Sequence, residues 1–366
     1  MVEAARTQST RNRNAMNSHP KQRVASRTSV GMVLLLVPLF SSGCGPDPRA
    51  GRSFGPTKLP PAYPAAHDVS LDPQLRAEAD VELQKDLRAS SPELRAHAIE
   101  AVQETAGTSH TSEIIAALAD PDPLVRYAAG LAAGELRLSG AHDQFLKMLD
   151  DTDAAVRVIA HFDLHRIGDY RYSHELEKLS RDPEARVRGT AAMVLGMLED
   201  HSALKVLEGM RHDSHPAVRQ EAAEAMWRLG SEEGLRDLIG WSVSGYQDDQ
   251  KVALLALAAP HNRNVIQHVR AKLVTEVPEV NLVAARAMGM LGCDEGFGVA
   301  LGGMTSHDPR ERVLAALALG AIGRSDAQDP LGKLLADPSA DVRIAAAQAI
   351  LELKHSFHSD CKRPSV

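Results

Sequence analysis

Residues 182–196 read DPEARVRGTAAMVLG, and residues 213–230 read DSHPAVRQEAAEAMWRLG. Each stretch begins with a polar residue near a proline, carries an arginine six residues in, and reaches an alanine three residues later. Those alanines, Ala191 and Ala222, are 31 residues apart. Working outward, alanine recurs at 98, 129, 160, 191, 222, 253, 284, 315 and 346 with no slip of register. Three residues before them stand Arg95, Arg126, Arg157, Arg188, Arg219, Gln250, Asn281, Arg312 and Arg343. A fixed period of this length is the mark of stacked supersecondary units, each too small to bury its own apolar face.

Each unit divides into two helices. In the first, apolar side chains fall three, four and seven residues after the arginine column, one face of a 3.6-residue period. Six residues before that column come Ala89, Asp120, Asp151, Asp182, Asp213, Ser244, Thr275, Ser306 and Asp337, eight of which are able to cap a helix N-terminus. Gly134, Gly168, Gly196, Gly230, Gly292 and Gly323 suit its left-handed stop. A second helix carries the column from Leu83 and Ile114 to Leu331. The array is expected to open with a lone second-type helix at about 75–88 and to close with a first-type helix ending near Lys354. Small alanines at the interface let neighbouring helices approach.

These columns resemble HEAT repeats, in particular the short class of the phycobilisome lyases, over residues 75–354. The resemblance implies an all-α fold, a right-handed α-α superhelix (a HEAT/armadillo-like solenoid) of about nine 31-residue repeats. It also implies that the second helices line a concave face, and that the arginine column pairs with turn aspartates to tie repeats together. Arg126, Arg157, Arg188, Arg219, Arg312 and Arg343 are therefore expected to form a structural ladder rather than an anion site. Two enzyme families share the repeat. Deoxyhypusine hydroxylase requires paired His-Glu dipeptides for its iron, but the equivalent pair here is Gln220-Glu221, and His174-Glu175 lies on a second helix. Bilin lyases share the repeats without a short motif to match.

Ahead of the array, residues 1–43 hold a basic segment and the apolar run VGMVLLLVPLF at 30–40, too short for a bilayer span and suited to a signal peptide. Ser42-Gly43-Cys44 resembles a bacterial lipoprotein cleavage site, although Ser41 stands where an aliphatic residue is usual. The resemblance implies a lipid on Cys44 and, with Gly45 following, outer-membrane sorting. Ordinary secretion at the same bond is the alternative. Residues 44–74 hold seven prolines and read as a stalk or as a leader without a role, and 355–366 as a C-terminal tail.

The net charge is −7, but residues 1–44 carry +5, leaving −12 on the remainder. A body that acidic repels phosphate backbones, which excludes nucleic acid as a general partner. The three cysteines, Cys44, Cys293 and Cys361, make no disulfide framework by spacing. His161 and His165 are four residues apart, a chelating spacing, yet they occupy columns held elsewhere by small residues and read as structural. No metal, cofactor or catalytic constellation is expected. The places to look for partner binding are Lys147, Lys178, Lys205 and Arg236, a basic stripe on the second helices that is able to steer an acidic segment into the concave groove. Trp241 and Tyr246 mark a second candidate, in the region 241–264 where the columns lapse and Pro260 truncates a helix. The function these features point to is a non-catalytic, membrane-anchored scaffold of the cell envelope that binds proteins. The alternatives are a maturation factor for a cofactor-bearing protein and a bilin-lyase-like enzyme.

Overall fold

A computed structural model describes residues 69–105, 109–354 and Cys361. Among the described residues the secondary structure is helical, with no strand. A lone helix, α1 (Pro73–Asp86), comes first. Eight pairs follow: α2 (Pro92–Thr105) with α3 (Thr111–Ala117), α4 (Pro123–Glu135) with α5 (His142–Met148), α6 (Ala154–Arg166) with α7 (Glu175–Leu179), and α8 (Ala185–Met197) with α9 (Leu204–Met210). The others are α10 (Pro216–Arg228) with α11 (Glu232–Ser242), α12 (Gln247–Ala258) with α13 (Ile266–Arg270), α14 (Pro278–Met290) with α15 (Phe297–Gly303), and α16 (Pro309–Ile322) with α17 (Gln328–Leu334). A first-type helix, α18 (Ala340–Glu352), ends the array.

The first helices begin two or three residues later than the cap column predicts. Asp122 and Asp153 are N-caps, accepting from the amides of Leu124 and Ala155. The column two residues earlier does other work. Asp120 accepts from the amide of Asp122, bending the approach to the helix, and its carboxylate receives the guanidinium of Arg95 from the preceding repeat at 2.8 and 2.9 Å. Arg126–Asp151, Arg188–Asp213 and Arg312–Asp337 repeat this bidentate pair, always 25 residues apart. Each arginine also donates to the carbonyl six residues before it, as Arg126 does to Asp120. Gln250 and Asn281 keep that carbonyl bond with an amide and give up the reach to the next repeat. Arg157 and Arg219 donate to the carbonyls of Asp151 and Asp213 in the same way.

The two half-repeats at the ends complete each other. Helix α1 packs on α18 as its missing second helix, and α18 packs on α2, so the stack closes into a ring. Arg343 donates to Glu82, and His97 meets Asp341 at 3.0 Å. Arg76 donates to the carbonyls of Ile350 and Leu351. Just before α1, the Val69 amide donates to Ser325 Oγ and the Asp72 amide to Gln328 Oε1.

The first helices, not the second, form the inner wall of the ring. Adjacent first helices pack on one another around the whole circuit, whereas consecutive second helices share no comparable contact. In a curved stack the closely spaced layer is the concave one. This overturns the expectation that second helices line the concave face. Small side chains permit the spacing: Ala98, Ala129, Ala160, Ala191, Ala222, Ala253, Ala284, Ala315 and Ala346 are all fully buried. Gly134 and Gly196 lie within helices, where an added Cβ would strike Phe162 and Ala225 of the next repeat. Their left-handed stops fall three residues later, at Arg137 and Glu199, whereas Gly168, Gly230, Gly292 and Gly323 take the left-handed conformation where expected, and His261 takes it in the sixth repeat.

One further expectation is corrected. Cys293, in the turn after α14, is bonded to Cys361 of the tail, with Cα atoms 5.2 Å apart, inside the range a disulfide spans. Residues 68 apart in sequence gave no spacing motif for this bridge. Around the predicted irregular region, α10 and α12 touch more thinly than other first helices, and the longer α11 fills the space between them.

Candidate functional site: the inner face of the first helices

The first helices turn toward the ring axis the face opposite the alanine column, which carries the residues two, five and nine places after the arginine column. The five-place column runs Glu100, Leu131, Phe162, Met193, Glu224, Leu255, Arg286, Leu317 and Gln348, and none of these is exposed. The axis is therefore narrow and filled largely by the protein's own side chains. Helices that are not neighbours meet across it. The Tyr127 hydroxyl of α4 donates to Met193 Sδ of α8 at 3.9 Å, and Glu352 of α18 feels Arg286 of α14.

Carboxylates are the commonest charged residues of this mostly apolar lining: Glu100, Glu104, Glu135, Glu221, Glu224 and Glu352. Two are held by arginines of their own wall, Glu224 by Arg228 at 2.7 Å and Glu135 by Arg166 at 3.5 Å. Burial pushes Glu221 up to about 8, with the Glu224 charge adding to the shift. Burial and then Glu104 push Glu352 up to about 7, although Gln348 donates to it at 2.8 Å. Both keep some exposed area yet have protein on every side, as expected of groups in a narrow concavity. Between α4 and α6, Asp163 is wholly buried against Gly130 and Gly134, has no hydrogen-bond partner for either oxygen, and burial, with the Glu135 charge, raises its carboxyl far above the usual range. The other repeats carry alanine or valine at this place. On this face burial thus favours the protonated form of Glu221 and Glu352.

Sequence reasoning missed this face. The signal was available in the alternation of Glu and Arg at the two-, five- and nine-place columns, which no helix needs for packing. The residues it singled out instead lie apart from this face. Lys147, Lys178, Lys205 and Arg236 sit on α5, α7, α9 and α11, the outer wall, with Lys178 paired to Glu175 and Arg236 to Glu233. A stripe entering a concave groove is not what they form. Trp241 is half-buried at the end of α11, and Tyr246 is 70% exposed in the following connection beside exposed Val243. His161 meets the Tyr172 carbonyl at 3.1 Å and His165 meets Ser173 Oγ at 2.8 Å, and burial lowers both imidazoles, which keeps them neutral and structural. No group of three or more His, Cys, Asp or Glu suited to a metal ion occurs among the described residues. Cys44 and the apolar run before it lie outside the described residues, and no described helix is long and apolar enough to cross a membrane.

Paired helices in a fixed 31-residue register, an inner alanine face and an inter-repeat arginine–aspartate ladder define an α-helical repeat protein. The chain belongs to the HEAT-repeat family, whose model matches residues 82–161, 142–227, 173–258 and 301–356. Among solved structures it is similar to the complex of CpcE and CpcF of phycocyanin lyase from Nostoc sp. PCC7120, at 18% identity and a TM-score of 0.42, covering 65% of this chain and 95% of that one. It is also similar to human deoxyhypusine hydroxylase in complex with glycerol, at 20% identity and a TM-score of 0.36, covering 69% and 98%. A third is YibA from E. coli, at 18% identity and a TM-score of 0.32, covering 69% and 94%. At such identities the likeness is one of fold alone. No curated protein matches the sequence significantly.

Proposed function

We propose that this chain is an extracytoplasmic, membrane-anchored HEAT-repeat scaffold that binds other proteins and carries out no chemistry of its own. The observation that carries the scaffold reading is the uninterrupted repeat array, whose outer helices and rims offer a large rigid surface built from interchangeable units. Because the axis is filled by the protein's own side chains, partners are expected on the outer wall and rims, where Lys147, Lys205 and Tyr246 lie. The Cys293–Cys361 bond supports export, since disulfides persist in oxidising compartments. Tethering rests on Cys44 and the proline-rich segment behind it.

The test is a cross-linked pull-down from isolated envelope, run beside a Cys44→Ala version, with intact masses of the recovered chains. Lipid mass on the native chain and a defined set of envelope proteins support the reading. A single cofactor-bearing partner in that set would recast the protein as a maturation factor. An unlipidated chain recovered alone from the cytosol would sink both.

A further inference from the structure

Two rungs of the arginine ladder have lost both halves, Gln250 with Thr275 and Asn281 with Ser306, and the second of them borders a cleft. Asn281 stands in the arginine column, and Ser306, 25 residues on, stands where Asp120, Asp151, Asp213 and Asp337 receive a guanidinium. Asn281 folds back on its own turn: Oδ1 accepts from the amide and hydroxyl of Thr275, both at 2.7 Å, and Nδ2 donates to the Thr275 carbonyl. It does not cross to the next repeat.

The space between α14, α15 and α16 that a full rung would occupy is a cleft of about 570 Å³. Pro278, Leu282 and Val299 supply apolar walls, and Ser306, Asp308 and Glu311 supply the polar side. Gly302 occupies the place that Lys147, Lys178 and Lys333 hold in other repeats. A Cβ there would meet nothing within 4 Å, so the mouth is open. A carboxylate still marks the rung, because Ser306 Oγ donates to Glu311 Oε2 at 2.6 Å. Asp308 and Glu311 at the start of α16 make the cleft negative, which rejects an anion.

We propose that this cleft is a receptor for an arginine side chain presented by a protein partner, which completes the vacant rung from outside. Arginine fits better than lysine. Its methylene stem packs on the apolar walls while its planar fork meets a carboxylate in two directions, as the chain's own rungs do. The inference rests on the protein-binding reading of the chain and names the chemistry of one contact.

The test titrates the full chain with N-acetyl-arginine N-methylamide and with its uncharged citrulline counterpart, following the methyl NMR signals of Leu282 and Val299. The expected result is saturable shifts with arginine and binding about tenfold weaker or worse with citrulline. Glu311→Gln is expected to weaken arginine binding by a similar factor, and Asn281→Arg to abolish it by filling the cleft from within, with circular dichroism unchanged in both. Equal binding of the two probes, absence of saturable shifts, or undiminished binding by folded Asn281→Arg overturns the proposal. The peptide titration reports on the cleft alone, so its failure leaves the envelope pull-down to decide the scaffold reading independently.

Discussion

Arg343 on the last helix donates to Glu82 on the first, across 261 residues of sequence, and so closes the ring. In the repeat register the acceptor should be the equivalent of Asp120, but that place is Ala89, and Glu82 reaches in from α1 instead. Both side chains are about four-fifths buried. Glu82→Ala is expected to cost about 1.5–3 kcal/mol, the range for a hydrogen bond to a charged group. Hydrogen exchange is expected to speed up in α1, α2 and α18 while α8 and α10 stay protected. Uniform acceleration throughout would mean that the seam is not a separate weak point.

Asp163 is the one carboxylate in a column of alanines and valines. Asp163→Ala removes a buried group without a partner, and the denaturant midpoint is expected to rise by the equivalent of about 1–3 kcal/mol. Lowered stability would show that the carboxyl is satisfied in solution.

Glu221, pushed up to about 8, binds its proton more tightly in the folded chain than in the unfolded one. Folding therefore takes up a proton between the ordinary carboxylate range and about pH 8, and stability falls as pH rises through that window. Glu352, at about 7, acts in the same direction. Melting temperatures measured from pH 5 to pH 8 are expected to decline, and Glu221→Gln to flatten the decline. A slope unchanged by that substitution would remove Glu221 from the account.

The Cys293–Cys361 bridge closes a long loop through α18 and ties the tail to the seventh repeat. Chain-entropy arguments put the loss on reduction at about 4 kcal/mol. Alkylation of the purified, unfolded protein without reductant is expected to leave both cysteines unlabelled, and labelling of either would count against the bond.

Ala191 is fully buried between first helices. Ala191→Leu is expected to lower stability by about 1–3 kcal/mol through overpacking. Calorimetry decides it, because an unchanged melting temperature would require the interface to have slack that the alanine column denies.

The sequence by itself determined the repeat unit. The 31-residue register, the two helices per unit and the buried alanines were legible because each depends on neighbours within one repeat or the next. The ladder was legible in part: the arginine column stands in the sequence, but Arg126, Arg188 and Arg312 meet aspartates 25 residues ahead rather than at the start of their own helix. The tertiary structure alone decided which layer faces inward, that the half-repeats at the two ends join, and that Cys361 reaches Cys293. These follow from the small rotation between successive units, about 40° if nine close a circle. That rotation is set jointly by the close approach of the alanine- and glycine-lined first helices and the wider separation of the second. No single residue encodes such an angle, and only its accumulation around the whole stack brings Glu82 to Arg343.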